Sequence, residues 1–246
     1  MRLETLAIHA GAEPDSETGA VASPLHLSTT FKHGPAGERV AGYEYQREAN
    51  PTQDRLEVCL AALEGGERAL AYASGMAAMA GLLESLPNDS HVLIPCDCYT
   101  GLRYLGAEFL NLRGIETQAI DMSDLQLVSD SLKPNTKLIW AETPSNPLLA
   151  IADIAELARI AHQHGALLAC DNTFATPVLQ QPLKLGADVV MHSTTKYFGG
   201  HSDVMGGALV FAKANAFYDA VAHRRHIIGN IASPFNSWLI LRGARS

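Results

Sequence analysis

Residues 188–203 read Asp188-Val-Val-Met-His-Ser-Thr-Thr-Lys196-Tyr-Phe-Gly-Gly-His-Ser-Asp203. The apolar run 189–191 reads as a short buried strand. It empties into hydroxyl side chains, a single lysine and, from three residues later, a pair of glycines. Lys196 therefore stands at a strand end. An α/β protein holds anionic ligands at such ends, and an amine placed there can condense with a carbonyl. A lysine taken alone at a strand end more often snorkels to solvent, so the reading depends on what the rest of the chain brings to the same edge.

Outward from this stretch, strands and helices alternate. Strands are expected over 68–73, 91–95, 116–120, 137–142, 166–171, 188–192 and 207–211. Helices are expected over 75–86, 101–110, 124–132, 215–229 and 235–245. A further helix follows Asn50, with Pro51 at its first position, Gln53 completing a capping box and Gly65-Gly66 stopping it. Asp153, with Glu156 three residues on and Gly165 beyond the end, delimits another. This rhythm predicts an α/β fold, a mostly parallel central sheet with helices on both faces. Residues 1–50 lack sustained periodicity and are rich in Gly, Pro, Ser and Thr, so they are expected to form an extended N-terminal arm that packs on a partner subunit. Residues 51–246 are then the large domain.

Composition narrows the function. With 18 Lys and Arg against 26 Asp and Glu, the net charge of −8 offers no basic face to nucleic acid or anionic lipid. No apolar run reaches the roughly 18 residues of a membrane span, and the N-terminus has no signal-like apolar segment, so a cytoplasmic location is expected. Cys96 and Cys98 form a CxC without a second ligand pair at zinc-site spacing, which argues against metal.

The strand-end residues belong together. Ser74-Gly75-Met76 enters a helix whose free N–H groups suit a phosphate. Tyr99 follows the second strand and can stack on a flat ring. Glu142-Thr-Pro-Ser-Asn-Pro147 ends the fourth with Ser145 and Asn146 as polar groups, and Asp171-Asn-Thr173 ends the fifth. Asp171 is suited to keep a pyridine nitrogen protonated, and it lies 25 positions before Lys196, about one strand-helix-strand unit. Each residue has an ordinary alternative as a cap, turn or core group. Together they supply phosphate donors, a stacking ring, a pyridinium partner and an imine-forming lysine, the parts of a site for pyridoxal 5'-phosphate (PLP).

With these residues assembled, the chain resembles the Cys/Met-metabolism family of PLP-dependent enzymes, in which cystathionine γ-synthase and cystathionine γ-lyase are found. The resemblance lies in Ala7-Ile-His-Ala-Gly11, Thr18-Gly-Ala-Val21, Ser28-Thr-Thr-Phe31, Asn50-Pro-Thr52, Glu142 to Pro147, Asp171-Asn-Thr-Phe174 and Ser193-Thr-Thr-Lys-Tyr197 with Gly200-His-Ser-Asp203. It implies the large domain of a fold-type I PLP-dependent transferase. In that comparison Lys196 forms the internal aldimine and Asp171 binds the ring nitrogen. Tyr99 stacks on the ring and is a candidate acid, Asn146 lies near its 3′-oxygen, and Thr173 sits beside it. Gly75, Met76, Ser193 and Thr195 hold the phosphate. Tyr45 and Arg47 complete the phosphate cup of a neighbouring subunit in a homo-oligomer, a dimer of dimers.

The implied reaction is γ-elimination or γ-replacement on a small amino-acid substrate, a sulfur amino acid or an activated homoserine. Cystathionine β-lyase, methionine γ-lyase or an aminotransferase of the same fold are alternatives. The family's C-terminal domain would begin where this sequence stops, so a catalytically incompetent PLP-binding fragment or associating subunit is a further alternative. Two positions depart from the family pattern near the arm: Gln46 stands where Ser is usual and Ala49 where Gly is usual.

Overall fold

The computed structural model describes residues 1–246. Seven strands form one sheet: β1 (Arg68–Tyr72), β2 (His91–Pro95), β3 (Glu116–Ile120), β4 (Thr136–Glu142), β5 (Leu167–Asp171), β6 (Val189–His192) and β7 (Gly207–Phe211). Their order is β1-β7-β6-β5-β4-β2-β3. Every pairing from β6 across to β3 is parallel, whereas β7 runs antiparallel to both β6 and β1. Six strands therefore share one direction, and their C-terminal ends open on one edge of the sheet. That edge is where parallel sheets place their ligands.

Nine α-helices flank the sheet: α1 (Leu3–His9), α2 (Pro51–Glu64), α3 (Gly75–Leu83), α4 (Thr100–Tyr104), α5 (Leu125–Asp130), α6 (Ile154–Gln163), α7 (Thr176–Leu179), α8 (Ala216–Ile228) and α9 (Pro234–Gly243). Strand residues alternate between the two faces, as a period of two requires. Leu70, Trp140 and Met191 pack under α3, α4 and α8. Ala71 and Val190 face α2 and α9 on the opposite side, and Ile139 and Cys170 lie there under α5 and α6. None of the helices is long and apolar enough to cross a membrane.

The expected strands appear within one residue of their predicted bounds. The helices differ more. Instead of one helix over 101–110, α4 is a single turn that continues as a π turn (Leu105–Phe109) and a 3-10 turn (Leu110–Arg113); Gly106 comes up against Thr117 of β3, and Gly114 ends the run with a left-handed φ of 68°. α3 and α5 stop short of their expected ends. α7 and the 3-10 turn Pro182–Leu185 occupy a segment read without helix. The arm also contains α1, a helix too short for periodicity to register. Leu3, Leu6 and Ala7 pack it against its own chain, beside α2 and α9.

The start of α2 ties the arm to the domain. Asn50, fully buried, accepts the Thr52 N–H at 2.9 Å and donates to His26 O at 3.0 Å, so one side chain caps the helix and pins the arm. Gln53 does not close the expected capping box: its amide donates to Glu57 Oε1 instead. Asn50→Ala removes both bonds and is expected to cost about 1–2 kcal/mol. Urea unfolding read by circular dichroism measures it, and an unchanged midpoint would contradict this account of the cap.

Candidate active site

The strand-end residues converge. Gly75, Met76, Tyr99, Asn146, Asp171 and Thr173 line one cavity of about 290 Å³ with Ser193, Thr195 and Lys196. All nine residues expected to meet within a single chain therefore do so. Tyr45 and Arg47 do not join them. They line a separate surface depression, where the Arg47 guanidinium lies 5.5 Å from the Tyr45 ring centre and donates to His226 O at 2.7 Å.

Each wall has a local cause. Ser74 caps α3 by accepting the Ala77 N–H at 3.1 Å, which leaves the first N–H groups of the helix without intrahelical acceptors. A Cβ at Gly75 would lie 3.0 Å from Ser193 Cβ and 3.1 Å from Met191 Cε, so glycine lets the helix start come against the end of β6. The loop after β6 is held twice. Ser193 N donates to Thr173 Oγ1 at 2.9 Å, and Thr195 Oγ1 both accepts from Gly206 N at 3.0 Å and donates to Gly206 O at 3.1 Å. A phosphate bond from the Thr195 hydroxyl would require its proton to leave Gly206 O.

Asp171 is 7 % exposed, and burial pushes its carboxyl above the usual carboxylate range. The hydroxyl and N–H of Thr173 oppose that rise, the N–H donating to Asp171 Oδ1 at 2.9 Å, and so does the charge of His192. No lysine or arginine bonds to it. A buried carboxylate with no cation bonded to it is electrostatically incomplete, and a protonated ring nitrogen would complete it. A flat ring also finds the Tyr99 side chain on the cavity wall, and an anionic group finds the start of α3. The donor set fits PLP.

Five lining residues carry no site role in the sequence reading: Met79, Glu142, Pro144, Phe174 and Met205, of which Glu142, Pro144 and Phe174 lie in the motifs quoted above. Met79 and Met205 carry no signal in a sequence. Glu142 does, since it ends β4 in register with Asp171. Its two oxygens accept the N–H groups of Tyr99 at 2.9 Å and Asn146 at 2.8 Å, so one carboxylate clasps the loops after β2 and β4. Burial first, and the nearby Asp171 charge second, push the Glu142 carboxyl up to about 7, against the pull of the two N–H donors.

An α/β chain whose parallel strand ends gather a lysine, a buried aspartate and a helix N-terminus has the architecture of a fold-type I PLP-dependent enzyme. More narrowly, the chain belongs to the Cys/Met metabolism PLP-dependent enzyme family, which it matches over residues 4–246. It is 45 % identical over 242 residues to a probable cystathionine gamma-synthase of Herpetosiphon aurantiacus, covering 98 % of this chain and 75 % of that one. It is 44 % identical over 246 residues to a cystathionine gamma-lyase of Bacillus subtilis, covering 100 % and 64 %. The crystal structure of metB from Corynebacterium glutamicum superposes with a TM-score of 0.97 at 43 % identity. That of a cystathionine gamma-lyase from Lactobacillus plantarum, complexed with L-serine, gives 0.95 at 40 %. The chain spans 64 % of the length of each of these two solved chains.

The Glu142 carboxyl sets a pH dependence. Its folded value near 7 lies above the ordinary 4.5 of an unfolded glutamate, so the folded state holds a proton that the unfolded state has released between those two pH values. Stability is expected to fall as pH rises from 4.5 to 7 and to be level on either side, by up to about 3 kcal/mol from this group. Urea unfolding of the PLP-free chain across pH 4 to 8 should show this slope, and Glu142→Gln should lack it. Parallel slopes in the two proteins would exclude Glu142 as the titrating group.

Proposed function

We propose that this chain is the cofactor-holding part of a PLP-dependent enzyme that eliminates or replaces the γ-substituent of a sulfur amino acid or an activated homoserine. The observation that carries the reading is the meeting of an amine, Lys196, and a buried carboxylate without a cation, Asp171, on the walls of one strand-end cavity. The relatives named cystathionine gamma-synthase, gamma-lyase and beta-lyase support the substrate class. L-serine in the Lactobacillus plantarum complex agrees with an amino-acid ligand.

When bound, PLP supplies an electron-poor ring that acidifies the C–H bonds of the attached amino acid. The Lys196 amine would hold the cofactor and, once free, would take the substrate's α-proton and pass protons along the chain toward the departing γ-substituent. Asp171 would hold the ring nitrogen, its carboxylate fixed by the Thr173 N–H at Oδ1. Tyr99 would lie against the ring and donate a proton toward the leaving group, and the Asn146 amide would bind near the 3′-oxygen. Gly75, Met76, Ser193 and Thr195 would hold the phosphate at the start of α3, where the helix dipole favours an anion. Glu142 fixes Tyr99 and Asn146 against each other across the site.

A second reading has one observation behind it. Lys196 is the single cation lining the cavity, so a substrate α-carboxylate finds no arginine there. In this reading the chain binds PLP but does not turn substrate over. We further propose that Tyr45 and Arg47, set away from their own cavity, serve the phosphate of a second copy in a homo-oligomer.

Purified chain mixed with PLP is expected to develop a visible imine band that Lys196→Ala lacks while keeping its far-UV circular dichroism. A band that survives the substitution would sink the assignment of Lys196. Turnover of cystathionine or an acyl-homoserine, with products separated by chromatography, then distinguishes γ-replacement, γ-elimination, β-elimination and no reaction.

The shared site has its own test. Arg47→Ala is expected to weaken PLP retention at least about tenfold, the loss of a charged phosphate bond. Mixing it with Lys196→Ala should restore one sound site in each mixed pair, read as a returning imine band. No recovery in a mixture proven to exchange subunits would place Arg47 outside the neighbour's site.

A further inference from the structure

Tyr99 owes its place on the cavity wall to the backbone that carries it. The residue is 44 % exposed and stands at the start of α4 without a capping bond from its side chain. A Cβ at Gly101 would lie 2.5 Å from Tyr99 Cε1, so the ring rests against bare backbone in the first turn of the helix. What fixes the loop after β2, residues 96–99, therefore fixes the ring.

That loop is tied to the end of β4 at two points. One is the Glu142 carboxylate, which accepts Tyr99 N. The other lies two residues earlier: the Ser145 hydroxyl donates to Asp97 Oδ2. Ser145 is 1 % exposed and held on every side. Its N–H donates to Ala150 O at 3.1 Å, its carbonyl accepts from Leu149 N at 3.0 Å, and its hydroxyl oxygen accepts from Ala150 N at 2.8 Å. A hydroxyl has one proton, and here that proton goes to Asp97. Loop 145–150 is thus closed on itself through Ser145, whose hydroxyl reaches out to the loop that carries Tyr99. The two ties also differ in kind. The Glu142 carboxyl, pushed up to about 7 chiefly by burial, holds Asn146 as well as Tyr99, and it grips less firmly once protonated, because an ionised acceptor binds an N–H more strongly than a neutral one. Asp97 and Ser145 stand behind the cavity wall rather than on it.

We propose that Asp97 and Ser145 are positioning residues for the cofactor ring: the hydrogen bond between them sets the loop after β2 against loop 145–150 and so keeps the Tyr99 ring where a flat ligand meets it. The inference rests on the reading of the cavity as a PLP site with Tyr99 against the ring. Neither residue touches the cofactor, and both act through Tyr99. With the bond broken, the loop hangs on Glu142 alone, and the ring spreads over positions of which only some stack.

The test is the PLP affinity of the full chain, titrated from the PLP-free form by the visible imine band and checked by filtration. Asp97→Ala removes the acceptor at a half-buried position and is expected to weaken binding about fivefold, with far-UV circular dichroism unchanged. Asp97→Asn keeps an oxygen for the Ser145 hydroxyl and is expected to stay within about twofold of wild type. Tyr99→Ala is expected to weaken binding about tenfold. The double variant Asp97→Ala/Tyr99→Ala separates positioning from a general loosening of the fold: with the ring gone, the broken tie has nothing left to misplace, and the double variant should match Tyr99→Ala within about twofold. Asp97→Ala within about twofold of wild type overturns the proposal, and so does a double variant about fivefold weaker than Tyr99→Ala. Asp97→Asn as weak as Asp97→Ala overturns it as well, because charge and not the bond would then matter. Should Asp97→Ala not fold, Ser145→Ala decides by the same two comparisons. Failure of the wild type to take up PLP removes the cavity reading and this inference together. Uptake that depends on Lys196, with Asp97→Ala unmoved, leaves the cavity reading standing and removes this inference alone.

Discussion

One carboxylate, that of Asp171, sits where water cannot reach it freely, and much of the molecule around it makes that position tolerable. Burial alone drives such a group toward its neutral form. Thr173 answers with its backbone N–H, and its hydroxyl oxygen accepts the Ser193 N–H, so the residue that holds Asp171 also fixes the loop leading to Lys196. The neighbouring strand contributes a second carboxyl at the same level, Glu142, whose proton affinity rises first by burial and then by the nearby Asp171 charge. Two carboxyls side by side with their affinities pushed upward are costly for a fold and useful for a site, since the cost is relieved when a cation arrives.

Strand direction makes this arrangement possible. Because β7 runs against the others, the chain leaves β6, forms the Lys196 loop, and returns along the sheet beside the strand it has just left. Gly206, at the entry to β7, can then hold Thr195 by two bonds. A Cβ at Gly207 would collide with Ser74 O, so the start of α3 and the start of β7 approach as closely as backbone allows. The reactive loop is thus clamped between a helix N-terminus and an antiparallel strand.

The strands and the chemistry were legible in the sequence because each rests on a local pattern. Short apolar runs ending in Ser, Thr, Asp or Asn marked every strand end that lines the cavity, and Lys196 and Asp171 stood out by residue type. Other features depend on distance in space. The capping box at Gln53 failed because Glu57, four residues on, offered a partner that itself accepts the Ala71 N–H and pairs with Arg225. The π turn after α4 brings Gly106 against Thr117 of β3, an approach no local pattern signals. Glu64 and His192 are 128 positions apart, and neither carries a signature until α2 and β6 are packed together.

The arm shows the same dependence on tertiary context. β1 is an edge strand, and an edge strand must do something with its outward backbone groups. Here Ala71 N donates to Glu57 and Ala71 O accepts from Arg225 of α8, so α2 and α8 cover that edge through one buried ion pair. The last turn of α8 then has carbonyls free for a cation, and Arg47 donates to one of them at His226. The arginine docked there does not line the cavity at the strand ends. Its guanidinium lies over the exposed ring of Tyr45, and the bond to a free carbonyl of α8 holds it on that outer edge.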